Sequence, residues 1–114
     1  ARGVALFRSF GTYVAQVVEA SVEFGEIRVH RVFCAVDCGQ VVNPDIVRDQ
    51  IEGGIIFGLT AALYGNITLE DGQVKQSNFH DYPLVRHDQR PEVVVDIIDS
   101  DELPTGVGEP AAFP

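Results

Sequence analysis

Two short stretches of the chain carry residue types that could do chemistry. The first is Thr105-Gly106-Val107-Gly108-Glu109-Pro110. Its glycines let the backbone turn tightly or approach a ligand, and the proline rigidifies the exit. A carboxylate in such a frame suits a general base that must be aimed at one atom, which makes Glu109 the candidate catalytic residue. The same residues also compose an ordinary surface turn. The second stretch runs from Asn43-Pro44 to Gln50-Ile51-Glu52-Gly53-Gly54. Gln50 brings an amide, with one acceptor and two donors, next to two glycines where a bulky ligand could come close. A glycine inside a helix costs about 1 kcal/mol relative to alanine, so the pair needs a reason. Close packing against another backbone is the competing one.

The elements that must hold these residues follow from local pattern. Asn43 is placed as a helix N-cap, with Pro44 at the first helical position and Asp45 in the first turn. Val47, Ile51, Ile55, Leu59 and Leu63 recur every four residues, which predicts a helix to Tyr64 with that stripe on the core. Gly65-Asn66 supplies the stop. Ile46, Gln50, Gly53, Gly54 and Phe57 are expected on a different face. Strands are expected from Tyr13 to Val22 and from Ile27 to Val36, with a turn at Glu23-Phe24-Gly25-Glu26. The second of these is half alternating and half apolar on both sides, as in a strand running from an exposed edge into the interior. Asp71-Gly72 predicts a hairpin between Asn66–Leu69 and Gln73–Ser77, and Pro91 introduces a last strand from Glu92 to Ile98. The order predicts an α+β fold, an antiparallel sheet packed against one long helix. Asn78 to Arg86 fits neither period. It reads either as an ordered loop near a site or contact, or as a plain packed connection.

Composition narrows the function classes. At 114 residues, 46% hydrophobic, the chain can build a modest core. A net charge of −9 argues against nucleic acid, which needs clustered Lys and Arg. No apolar run approaches the roughly 20 residues of a membrane span. Cys34 and Cys38 are the only cysteines and the three histidines are scattered, so no metal set is expected and buried packing suits both thiols better. A disulfide within one strand is too long to close. No phosphate-binding loop ends in Lys-Ser or Lys-Thr, and no serine sits in a nucleophile elbow. The chain has no methionine and stops at Phe113-Pro114, just after its most suggestive motif, which fits a piece of a longer polypeptide.

Taken in order, Val32-Phe33-Cys34-Ala35-Val36-Asp37-Cys38-Gly39, Asn43-Pro44 through Gly53-Gly54, Gly58-Leu59, Asn78-Phe79-His80-Asp81-Tyr82 and Gly106-Val107-Gly108-Glu109-Pro110 resemble one family. It is the xanthine oxidase family of molybdenum hydroxylases, in the C-terminal part of the large, molybdopterin-binding subunit. The likeness is greatest to the isoquinoline 1-oxidoreductase beta subunit and related aldehyde dehydrogenases.

The resemblance implies that residues 1–114 are the C-terminal portion of a molybdopterin-binding domain. It implies hydroxylation of an N-heterocycle or aldehyde with water as the oxygen source. Glu109 matches the family's proton-accepting glutamate and Gln50 the glutamine that hydrogen-bonds the molybdopterin, with Gly53, Gly54 and Gly108 beside them as cofactor-binding positions. The implied partners are the remainder of the large subunit, a small subunit carrying iron–sulfur clusters, and a small-molecule substrate. Alone, the 114 residues are expected to be inactive. Bacterial cytoplasm and periplasm are equally compatible locations. The alternative is a stand-alone binding or assembly module that has the fold without the catalysis.

Overall fold

The computed structural model describes residues 1–114. Three long strands follow one another, β1 (Arg2–Ser9), β2 (Thr12–Glu23) and β3 (Glu26–Asp37), joined by two-residue turns. Both turns place their residues at positive φ, Phe10 at 52° with Gly11 at 83° and Phe24 at 54° with Gly25 at 86°. Two successive left-handed residues match the twist of the flanking strands, which is why these turns close hairpins. Helix α1 (Pro44–Tyr64) follows, then a small hairpin of β4 (Leu69–Glu70) and β5 (Gln73–Val74), and then β6 (Glu92–Ile97). Strand β1 was not anticipated. Its Val4-Ala5-Leu6-Phe7 core lacks alternation, and what makes it a strand is its eight-residue pairing with β2.

The α+β class holds, with one correction to the sheet. Its order is β1-β2-β3-β6; the first three strands are antiparallel, but β6 pairs parallel with β3. A parallel neighbour requires a crossover, and α1 with its following loop is that crossover. Sequence pattern locates strands but not their direction, so the sheet is mixed rather than antiparallel.

Helix α1 forms for the expected reasons. Asn43 Oδ1 accepts from the backbone N–H of Asp45 and of Ile46, both at 3.2 Å, and Pro44 opens the first turn. The helix ends at Gly65 with φ of −70°, so no left-handed cap is used. The glycine is needed there because a Cβ would stand 2.5 Å from the Ala61 carbonyl oxygen. Ile51 and Ile55 are buried, and Val47 and Leu59 pack on the same core as Val14, Val32, Cys34, Val36 and Cys38. Only one face of the sheet is covered. On the other, Val4 pairs across to Val17 and Val17 to Phe33, which lies beside Val94. Val4 is 77% exposed and Leu6 70%, so this apolar face is open to solvent.

Candidate functional site

After β6 the chain runs beside the end of β3 and then across the sheet towards the helix. The Glu102 carbonyl accepts from Gln40 N–H, and Thr105 N–H donates to the Cys38 carbonyl, both at 2.9 Å. Gly106 N–H then donates to the Phe10 carbonyl at 3.3 Å. Two buried polar side chains on the inner face of β2 complete the attachment. Thr12, with no exposed surface, donates from Oγ1 to the Gly106 carbonyl at 2.6 Å and lies 2.6 Å from Thr105 Oγ1. Gln16, 5% exposed, donates from Nε2 to the Ala111 carbonyl at 2.7 Å. Every buried side-chain polar atom of the chain finds a partner. Neither Thr12 nor Gln16 stood out in the sequence, where Gln16 reads as one polar residue within a Val-rich strand and Thr12 falls just before the strand's expected start. Their spacing of four on an alternating strand was the available signal, since it puts both on the covered face.

Pro110–Ala112 forms a single 3₁₀ turn, and this turn packs on α1. The packing explains the helix glycines. A Cβ at Gly54 would lie 3.2 Å from the Ala111 Cβ, and one at Gly58 would lie 3.0 Å from the Ala112 carbonyl carbon. Gly54 is buried, so the expectation that it opens towards a ligand with Gln50 and Gly53 is corrected: backbone packing inside the chain accounts for it. Gly53 differs. A Cβ there would meet nothing within 4 Å, and the same is true at Gly108. Gly53 borders an open cleft of ≈ 390 Å³ with Asp49, Glu52, Ile56, Val85 and Arg86.

Of the predicted residues, Gly54 lies in the contact itself, and Gln50 and Glu109 lie near it in sequence. Glu109 stands two residues before Ala111, and Gln50 lies one helical turn before the Gly54 on which Ala111 packs. Gln50 and Glu109 are both exposed, and Glu109 caps the 3₁₀ turn with its backbone only, leaving its carboxylate uncommitted there. Ile46, 58% exposed, and Phe57, 73% exposed, continue the outer face of α1 on which Gln50 and Gly53 lie. No group of three or more His, Cys, Asp and Glu side chains is arranged to hold a metal ion. Cys34 and Cys38 are buried free thiols, and burial pushes the Cys34 thiol up to about 11.

The loop from Asn78 to Arg86 is ordered by its own hydrogen bonds. The Asp81 carboxylate accepts from the backbone N–H of Ser77 and Asn78 and from the Ser77 hydroxyl, and the Asn78 bond, the largest influence, holds its carboxyl below the usual range. Val85 N–H donates to Thr60 Oγ1, and Arg90 pairs with Glu52, which tie this connection to α1.

A family profile for the molybdopterin cofactor-binding domain matches residues 4–91, most of the chain. The chain belongs to the molybdopterin cofactor-binding domain family. That match takes in Gln50, Gly53 and Gly54, while Glu109 lies beyond it. This cofactor-binding domain is 42% identical over 111 residues to the beta chain of isoquinoline 1-oxidoreductase of Brevundimonas diminuta, covering 96% of the chain and 14% of that relative. It is 32% identical over 112 residues to a nicotinate dehydrogenase subunit of Pseudomonas putida, covering 95% of the chain and 9% of the relative. Among solved structures, quinoline 2-oxidoreductase from Pseudomonas putida 86 superposes with a TM-score of 0.74 at 25% identity, over 89% of this chain and 14% of that one. The domain thus spans a small part of the length of its relatives.

The exposure of the residues present leaves room for a large cofactor. Gln50 is exposed, Gly53 and Gly108 leave open approaches to backbone, and the Glu109 carboxylate is accessible. No helix is long and apolar enough to cross a membrane.

Proposed function

We propose that this domain is the C-terminal portion of the molybdopterin-binding region of a molybdenum hydroxylase that oxidises N-heterocycles or aldehydes with water as the oxygen source. The observation that carries the proposal is the seating of the Pro110–Ala112 turn on Gly54 and Gly58. It fixes the Glu109 segment against the helix that bears Gln50. Two motifs more than fifty residues apart in sequence are thereby carried on elements that pack together. Relatives named for isoquinoline, nicotinate and aldehyde oxidation support the substrate class.

When bound, the molybdopterin centre would supply the two-electron redox chemistry. The chain's own residues would hold and orient it. Gln50 can donate and accept through one planar amide, which suits the polar edge of a pterin. Gly53 and Gly108 let backbone approach without a side chain in the way. Glu109 accepts the proton released as water-derived oxygen is transferred to substrate, and its exposed carboxylate can be reached by a group outside the chain. Further walls of the substrate pocket would come from the remainder of the large subunit, and electrons would pass to iron–sulfur clusters on a partner subunit. The 114 residues alone would be inactive.

Single-turnover reduction by substrate, normalised to bound molybdenum, tests the base assignment. Glu109→Gln in the full-length enzyme should lower that rate by about 10²–10⁴-fold at near-normal molybdenum content. Wild-type turnover per molybdenum would return Gly-Val-Gly-Glu-Pro to an ordinary turn.

A further inference from the structure

Residues 106–111 form a bridge tied by a β2 side chain at each end, besides the Gly106–Phe10 backbone bond, with the candidate base between the ties. At the near end Thr12 Oγ1 donates to the Gly106 carbonyl, and at the far end Gln16 Nε2 donates to the Ala111 carbonyl. Both anchors are inner-face residues of β2, a strand paired on both sides and therefore rigid. Between the anchors, Gly108 and Glu109 are exposed, and a Cβ on Gly108 would touch nothing.

Packing restrains the bridge as well. Val107 packs on the core, and Pro110 and Ala111 are buried at the last anchor, so between the anchored ends only Gly108 and Glu109 are exposed. The hydroxyl protons can also be assigned. Thr12 spends its only proton on the Gly106 carbonyl, so Thr105 must donate to Thr12, giving a chain from Thr105 Oγ1 to Thr12 Oγ1 to the Gly106 oxygen. Anchors of this kind work because an unpaired buried polar group is costly, so the loop cannot leave without stranding Thr12 or Gln16.

We infer that Thr12 and Gln16 are positioning residues for Glu109, acting through the two ends of the 106–111 bridge. The inference rests on the proposed role of Glu109 and adds residues that touch neither cofactor nor substrate. Thr12→Val keeps shape and removes the hydroxyl; Gln16→Leu removes the amide. Thr12→Ser keeps the hydroxyl and serves as the restoring variant.

The test uses the full-length large subunit with its partner subunit, read in two ways. In the cofactor-free protein, amide hydrogen exchange across residues 105–112 should accelerate in Thr12→Val and Gln16→Leu, with α1 unchanged, and return towards wild type in Thr12→Ser. In the loaded enzyme, single-turnover rate per molybdenum should fall about 10- to 100-fold with substrate affinity and molybdenum content unchanged, since a base misplaced by about 1 Å costs on that order. Combined with Glu109→Gln, either substitution should slow the enzyme no further, because the group it positions is already gone. Unchanged exchange and turnover in both variants, with Glu109→Gln inactive, overturn the inference and leave the base assignment standing. An additional loss in the double variants also overturns it, since the residues would then act elsewhere. Full turnover in Glu109→Gln overturns the base assignment and the inference together.

Discussion

Gly58 and Ala112 meet backbone to backbone: a side chain on the glycine would press into the Ala112 carbonyl, 3.0 Å from its carbon. This contact decides what each helix glycine is for, and it separates them by experiment. Alanine in a helix gains about 1 kcal/mol over glycine, while overpacking against a fixed neighbour costs about 1–3 kcal/mol. Gly58→Ala should therefore lose up to about 2 kcal/mol on balance. Gly54→Ala, whose Cβ would meet the Ala111 Cβ at 3.2 Å, should be close to neutral. Urea denaturation of the chain measures both.

Gly53→Ala is expected to move in the opposite direction. Its Cβ would meet nothing within 4 Å, so helix propensity alone should raise stability by about 1 kcal/mol. If a cofactor approaches that surface, the same methyl lowers molybdenum content in the full-length enzyme. A more stable protein with undiminished molybdenum would remove Gly53 from the cofactor surface.

Gln50 and Glu109 should separate by phenotype. Gln50→Ala is expected to lower cofactor occupancy as well as rate, whereas Glu109→Asp should lower rate alone. The shorter side chain withdraws the carboxylate by about one methylene, a misplacement on the order of 1 Å that costs roughly 10²-fold. Molybdenum analysis beside single-turnover kinetics makes the distinction. Equal occupancy in the two variants would remove Gln50 from its proposed role.

Cys34 and Cys38 are both buried at 3% exposure and should resist alkylation in the folded state at neutral pH. The Cys34 thiol titrates higher folded than unfolded, from 9.0 to about 11, because burial penalises the thiolate. The folded state thus binds this proton more tightly. Its contribution is complete below pH 9 and is lost as pH rises through about 11. Alkylation followed by mass spectrometry across that range should show labelling rise with alkaline unfolding, and rapid labelling at pH 7 would contradict the buried placement.

The uncovered sheet face should drive association of the chain in isolation. Val4, Leu6, Phe33 and Val94 are 77%, 70%, 37% and 42% exposed on one face of the sheet, and apolar patches of this kind favour contact with other surfaces. Light scattering should show self-association that Leu6→Arg and Phe33→Asp weaken. A monomer at all concentrations would show that this face needs no cover.

Much of this domain was decided by local sequence. The Asn43-Pro44-Asp45 start and the four-residue recurrence through Val47, Ile51 and Ile55 give α1 wherever the chain folds, because caps and apolar periodicity act within a few residues. Asp71-Gly72 closes its hairpin for the same reason, with both residues at positive φ. Motif order also carried the family resemblance, and the exposure of Gln50 agrees with a helix face opposite the buried stripe. Other features belong to the tertiary structure alone. The parallel alignment of β6 with β3 depends on where the crossover returns, which no local pattern encodes. Gly53 and Gly54 are chemically identical and adjacent, yet the 100° step of the helix turns one to open space and the other onto Ala111. Thr12 and Gln16 acquire their meaning only when the chain comes back, more than ninety residues later, to present the carbonyls of Gly106 and Ala111. Hydrogen bonds between such distant segments exist only once the sheet, helix and bridge are assembled, so the placement of Glu109 is a property of the fold and its identity a property of the sequence.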